Sequence, residues 1–308
     1  GSGATSIGSL KACVDSILKP MGQAQVPQVL ALLTFLGACL ASVAGFHKAP
    51  IARHADGLSF GNATVHALLC VNDRGREDPR AQLLMSKLAT FGYKVKLVDC
   101  DDMFKGHAPL FGLRMRHYRE AIADMPDDGL FVILDSFDVV VFGTAAEAAE
   151  RFQKLNVPLL ASCTVATWPP VTECPAYETI LSPYADQVPL RPNMYNAEVQ
   201  CKFPCGGAMM GYKAAFLALY DHNHFDAATD DQCWLHTTLS DMAPGKEWAL
   251  DYNSELFLEY QSIPRYKVRV NWAGRLEISA SPSMQTHPTF VHLDGLHPGL
   301  AEMQSFYN

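Results

Sequence analysis

The stretch that most constrains this chain is Leu130–Leu134, LFVIL, five apolar residues with no polar alternate, followed at once by Asp135. A strand of that composition needs both of its faces covered, as in the middle of a helix-flanked sheet. Its surroundings agree. Ala67–Val71 is a short apolar run of strand length. Pro79 opens a helical pattern with Leu84, Leu88 and Phe91 on one face, and Tyr93–Val98 alternates as a strand. A further helix is expected over about 111–124, with Phe111, Met115, Tyr118 and Ile122 at helical spacing. A helix over 145–155 and a strand over Pro158–Ala161 complete the series. Strand–helix alternation of this kind predicts an α/β domain with a mostly parallel sheet. Beyond residue 165 the rhythm breaks into Pro-rich loops, then resumes with apolar runs at 206–219 and 288–293. There is no internal repeat. One domain is expected over 66–308.

The N-terminal part is different in kind. Val29–Phe46 is eighteen residues without a charge, about 27 Å long as a helix, roughly the thickness of a bilayer's hydrocarbon. A transmembrane helix is the expectation for 29–46, preceded by an arm, 1–28, and followed by a linker, 47–65. A buried or interfacial helix is the alternative, because Gly37, Ala38, Ala41, Ser42 and Ala44 dilute the apolarity. Lys11 and Lys19 precede the stretch and Lys48 and Arg53 follow it, so positive charge does not orient it. The lack of an initiator Met leads one to expect a processed or engineered start. Pro50, Gly57 and Gly61 mark the linker, and Asn62-Ala63-Thr64 is a glycosylation sequon, usable only in a secretory lumen. The net charge of −8 argues against nucleic acid as a partner, since phosphate neutralisation needs clustered Lys and Arg. None of the nine cysteines forms a C-x-x-C pair, which excludes a zinc ribbon or a thioredoxin motif. Disulfides in an oxidising lumen and a reduced buried set both remain open. The odd total leaves at least one thiol unpaired within the chain or joined to another chain.

Four segments carry chemistry. Asp135-Ser136-Phe137-Asp138 follows the apolar strand directly, where open α/β sheets bind their ligands. Two carboxylates three apart can share a hard divalent cation, although a solvated turn is the plain alternative. Gly206-Gly207-Ala208-Met209-Met210-Gly211 lets a backbone approach a ligand closely, or simply makes a tight turn before a buried strand. Thr229-Asp230-Asp231-Gln232 opens a helix, so Thr229 or Asp230 can serve as its cap. Phe290-Val291-His292-Leu293-Asp294-Gly295 ends a strand on a histidine, a structural residue or a third ligand suited to Mn²⁺.

In this order the segments resemble the glycosyltransferase domain of the multifunctional procollagen lysyl hydroxylases. The carriers are Asp135-Ser136-Phe137-Asp138, Cys205-Gly206-Gly207, Asp230-Asp231-Gln232, Leu250-Asp251 and Val291-His292-Leu293-Asp294-Gly295, and the likeness covers about 66–308. The resemblance implies a GT-A fold, a Rossmann-like mixed sheet flanked by helices, that binds a UDP-sugar through Mn²⁺ or another divalent cation. Asp135, Asp138 and His292 would hold the metal, which serves as Lewis acid for the departing UDP. Phe137 would pack on the uracil, and Arg114 stands where the family has a lysine near the nucleotide. Gly206, Gly207, Asp294 and Gly295 would line the donor, while Asp230 and Asp231 would face the sugar or the acceptor hydroxyl. The chain departs from the family at its last motif. His297-Pro298-Gly299 replaces a segment bearing a lysine, Asp294 replaces an asparagine, and Leu293 and Leu296 replace smaller residues.

The implied function is transfer of a hexose from a UDP-sugar to a hydroxyl acceptor, hydroxylysine-like or other. The alternative is a catalytically degenerate domain serving as a structural or accessory subunit of a membrane protein complex. The first places the chain on a membrane facing the ER or Golgi lumen; the second places it in an organellar membrane complex. A metal-dependent phosphohydrolase has the carboxylates but lacks a clear nucleophile or second metal cluster.

Overall fold

Each strand of the central sheet alternates between two apolar cores. In a computed structural model, residues 63–105, 110–164, 174, 203–259, 267–270, 276–281 and 284–293 are described. The expected arm, the expected span over 29–46 and nearly all of the linker lie outside them. Among the described residues no helix is long and apolar enough to cross a membrane.

The chain enters through β1 (Val65–Val71), the short α1 (Asp73–Glu77), α2 (Pro79–Thr90) and β2 (Lys94–Asp99). It continues through α3 (Phe111–Ala123), β3 (Leu130–Leu134), β4 (Val139–Val141), α4 (Ala145–Leu155) and β5 (Leu159–Thr164). Then come β6 (Phe203–Tyr212), α5 (Lys213–His222), α6 (Asp231–Asp241), β7 (Ala249–Leu250) and β8 (Phe257–Glu259). Last are β9 (Lys267–Val270), β10 (Leu276–Ser281), β11 (Met284–Thr286) and β12 (Phe290–His292). The helix boundaries have local causes. Asp78 caps α2 ahead of Pro79, whose missing N–H costs nothing at a first turn. Thr144 and Glu147 form a reciprocal capping box on α4, which ends on Asn156 in the left-handed region at φ 53°.

Six strands form one sheet in the order β2-β1-β3-β6-β5-β7. Five of these strands run one way and β6 the other, so the sheet is mostly parallel, and mixed as the family resemblance implied. The β1–β2, β1–β3 and β5–β7 pairs are parallel, but β6 runs antiparallel to both β3 and β5. Side-chain alternation has the same period in either direction, so the apolar pattern of β6 carries no sign of it. Both faces are covered, as LFVIL required. Phe131 and Ile133 point into a core with Tyr118 and Ile122 of α3, Phe216 of α5 and Trp234 of α6. Leu130, Val132 and Leu134 point the other way, to Leu84 and Leu88 of α2 and Phe152 of α4. Full burial of such side chains stabilises the fold by about 1.5–3 kcal/mol apiece.

Among the described residues two three-stranded sheets accompany the large one. β9, β10 and β11 form an antiparallel meander, and the other has the order β4-β12-β8. In the latter β12 pairs antiparallel with β4 and parallel with β8. Cys70–Cys100 joins the ends of β1 and β2, and Cys174–Cys233 ties the start of α6 to the segment ahead of β6. Cys163 is also disulfide-bonded, whereas Cys205 is buried and in no disulfide.

Candidate functional site

β3 ends on Leu134, and the next four residues cross to β4, which lies in the other sheet. That crossing is held at three points. The Asp135 N–H donates to the Gly207 carbonyl at 2.8 Å, the Ser136 hydroxyl donates to the Cys70 carbonyl at 2.7 Å, and the Leu293 N–H donates to the Asp138 carbonyl at 2.9 Å. The last bond continues the β4–β12 pairing, in which His292 faces Val139. Two carboxylates three apart in sequence and a histidine more than 150 residues later are thereby brought to one place.

The ligand atoms of Asp135, Asp138 and His292 all lie within 4.8 Å of one another. His292 Nε2 stands 3.5 Å from Asp135 Oδ2 and 3.6 Å from Asp138 Oδ2. These separations are long for hydrogen bonds. Ligands about 2.1 Å from one cation sit about 3.0 Å apart when adjacent and about 4.2 Å apart when opposite, and the observed spacings fall between those limits. Two carboxylates and one imidazole suit Mn²⁺ and similar divalent ions.

Gly207 shapes this place. It lies inside β6, not in a turn, at a register break where β5 pairing jumps from Met209 to Cys205. Such bulges bend a strand and re-aim its neighbours. A Cβ on Gly207 would collide with the His292 ring and come within 2.9 Å of Asp135 Oδ2. Gly206 is more roomy, and its N–H donates to the Gln232 side-chain oxygen at 2.8 Å. Gln232 in turn donates to the Pro204 carbonyl and, at 2.9 Å, pairs with His236 Nε2. The glutamine of the Asp230-Asp231-Gln232 segment therefore clamps α6 to β6.

The other two residues of that segment part ways. Asp230 accepts the Cys233 N–H at 2.8 Å as the N-cap of α6, so the structure gives it the capping task that its position allowed. Asp231 pairs with Arg114. Arg114, from the first turn of α3, also donates to Asp135 at 2.7 Å, with the Phe111 ring 5.6 Å from its guanidinium carbon. The basic residue expected near a nucleotide thus bridges a candidate metal ligand and a candidate catalytic acid.

The electrostatics follow this layout. Burial pushes the Asp135 carboxyl up, but Arg114 and His292 outweigh it and hold the group well below the usual carboxylate range. Asp231 goes the other way. Its burial, helped by Asp135 and Asp230, raises it in spite of Arg114. Burial opposes protonation of His292, yet Glu259, Cys205 and the two aspartates raise it well above an ordinary histidine. Burial also raises Asp251, to about 6, against three backbone N–H groups from Glu255, Leu256 and Phe257 at 2.7–2.9 Å. The Leu250-Asp251 motif is therefore a brace for the turn into β8, not part of the site.

Phe137 is half-buried on the crossing, with Arg80 5.6 Å from its ring centre and Gly75 beside it, where a Cβ would come within 2.8 Å of the ring. Asp294 and Gly295 lie outside the described residues. Glu259 was not foreseen. It is fully buried, with its carboxylate 2.7 Å from His292 Nδ1, and Cys205 Sγ lies 3.5 Å from the same nitrogen. A signal existed: Leu256-Phe257-Leu258-Glu259 is an apolar run ending in an acid, the same pattern as LFVIL before Asp135.

Among solved structures, the chain is similar to the crystal structure of a glycosyltransferase involved in the glycosylation of the major capsid of PBCV-1. The identity is 13%, the TM-score 0.44, and the match covers 79% of this chain and 97% of that one. Curated protein sequences yield no match. The sequence profile of the PLOD GT domain matches residues 78–304, from the cap of α2 through the last motif, and the chain accordingly belongs to the PLOD GT domain family.

Proposed function

We propose that this chain transfers a hexose from a UDP-sugar to a hydroxyl acceptor, with a divalent cation held by Asp135, Asp138 and His292. The observation that carries this reading is the convergence of those three side chains at the ends of β3 and β12. Charge supports it. The carboxylates of Asp135, Asp138, Asp231 and Glu259 lie around the Arg114 guanidinium and the His292 imidazole, with Arg80 acting on Asp138 while itself paired to Asp78. That leaves a surplus of negative charge that a cation would balance. When bound, the cation supplies Lewis-acid neutralisation of the diphosphate as UDP departs.

The remaining roles belong to the chain's own residues. Phe137 offers an aromatic face to the base, and the Gly207 backbone leaves room beside Asp135. Asp231, oriented by Arg114 and shifted upward by burial, binds a sugar hydroxyl or takes the proton of the acceptor hydroxyl as it attacks. Asp230 contributes indirectly, by capping the helix that presents Asp231. The Cys70–Cys100 and Cys174–Cys233 disulfides favour an oxidising lumen such as that of the ER or Golgi. The apolar stretch 29–46 would serve as the membrane anchor. The second reading, an inactive accessory subunit of a membrane complex, is favoured by His297-Pro298-Gly299 where the family carries a lysine.

Calorimetric titration of the full chain with UDP, with and without Mn²⁺, separates the two. Metal-dependent binding that Asp138→Ala abolishes is the expected result. Absence of any Mn²⁺-dependent binding sinks the transferase reading and leaves the accessory one.

A further inference from the structure

We infer that Glu259 is the positioning residue of the metal site, holding His292 so that Nε2 faces Asp135 and Asp138. This rests on the reading of Asp135, Asp138 and His292 as a divalent-cation site.

The argument begins with strand register. In the parallel β8–β12 pair, Glu259 lies directly beside His292, on the same face of that sheet. The two side chains meet with Oε2 2.7 Å from Nδ1. A carboxylate only accepts hydrogen bonds, so the proton of that bond belongs to Nδ1. A neutral imidazole with its proton on Nδ1 presents a lone pair on Nε2. Nε2 is the nitrogen 3.5 Å and 3.6 Å from the two aspartates. Cys205 Sγ, 3.5 Å away, is the more distant neighbour of Nδ1 and the weaker acceptor.

The cost of keeping Glu259 where it is points the same way. The residue is 0% exposed, its other oxygen Oε1 has no hydrogen-bond partner among the described residues, and its neighbours in β8 are Phe257 and Leu258. A buried carboxylate with an unsatisfied oxygen is unfavourable, and a leucine or methionine would pack such a strand end better. What a leucine could not do is fix the tautomer and the ring plane of His292. Asp251 supports this from below, since its backbone bonds fold the turn that delivers β8 in register. Ligating histidines commonly rely on such a partner, and its loss weakens metal binding 10–100-fold.

The test is an EPR-monitored titration of the full chain with Mn²⁺ alone, run on wild type, Glu259→Leu, Glu259→Gln and His292→Ala. Glu259→Leu is expected to weaken Mn²⁺ 10–100-fold, and Glu259→Gln, which keeps an acceptor oxygen, to recover most of that loss. Unchanged Mn²⁺ affinity in His292→Ala refutes the metal site itself. If His292→Ala loses binding while Glu259→Leu stays within threefold of wild type, only the positioning role is refuted. Equal losses in the Gln and Leu variants also refute it, because a hydrogen-bond acceptor was then not what mattered. A purely structural role predicts lower stability with unchanged affinity in the folded protein. Should Glu259→Leu fail to fold, ¹⁵N-histidine NMR of the Mg²⁺-loaded wild type decides. A proton on His292 Nδ1 supports the role, and a proton on Nε2 overturns it.

Discussion

Asp135 sits between two clusters that treat the same charge in opposite ways. On one side Arg114 joins it to Asp231, so two carboxylates share one fixed guanidinium. On the other side Asp138, Glu259 and the Asp135 carboxylate surround His292, and negative charge exceeds what an imidazole can balance. The first cluster is built from helix termini packed on the large sheet; the second is built from strand ends of the β4-β12-β8 sheet. The difference bears on the proposed cation. One guanidinium still leaves the first cluster a negative charge in excess but ties both carboxylates to a fixed partner, whereas Asp135, Asp138 and His292 bring three ligand atoms within 4.8 Å of one another, which is where the proposed cation would sit.

The largest expected effect breaks the first cluster. Arg114→Met leaves the half-buried Asp135 and Asp231 without their cation, and urea unfolding should show a loss of about 3 kcal/mol, the low end of what breaking a buried pair costs. Arg114→Lys should recover part of that, since a lysine cannot span two carboxylates with a planar fork. A loss below about 1 kcal/mol would mean that the bridge contributes little. The second cluster is tested by Gly207→Ala. The added methyl group must displace the His292 ring or the Asp135 carboxylate, so Mn²⁺ affinity should drop by about two orders of magnitude. Stability should fall by only about 1–3 kcal/mol, the usual range for overpacking.

The clamp beneath the first cluster gives a pH signature. Burial depresses His236 to about 3, and its pairing with Gln232 needs a neutral ring. A folded pKa below the unfolded value of 6.5 means that the stability is present above pH 6.5 and is lost as pH falls towards 3. By pH 5 the loss should approach about 2 kcal/mol, at 1.36 kcal/mol per unit. His236→Gln should flatten that part of the unfolding profile; an unchanged acid slope would show that other groups dominate it. The smallest effect separates the neighbouring acids. Asp230→Ala should cost about 1 kcal/mol through the lost cap and leave Mn²⁺ affinity as it was. A large fall in affinity would place Asp230 in the cation cluster after all.

Much of this was legible along the chain. LFVIL announced a strand covered on both faces, and Pro79 and the apolar spacing over 111–124 located helices with almost correct ends. Asp135, Asp138 and His292 stood out because polar ligands directly follow or end apolar strands. The reversal of β6 was not legible, because that strand alternates alike whether parallel or antiparallel. Nor was the pairing of Arg114 with both Asp135 and Asp231, which are 21 and 117 residues away in sequence. The Gly206-Gly207 pair could be read as a turn or as a close approach. Only the position of the His292 ring shows which glycine cannot carry a Cβ.

Taken alone, the sequence determined the layered α/β plan and the residue types available to a cation, since burial patterns and donor chemistry are local properties. Tertiary structure decided which acid meets which base. Register across β8 and β12 set Glu259 against His292, and the packing of α3 against α6 set Arg114 between two aspartates. Those partnerships depend on distances between segments far apart in the chain, and electrostatic interactions fall off over a few ångströms in a way that no spacing along a sequence records.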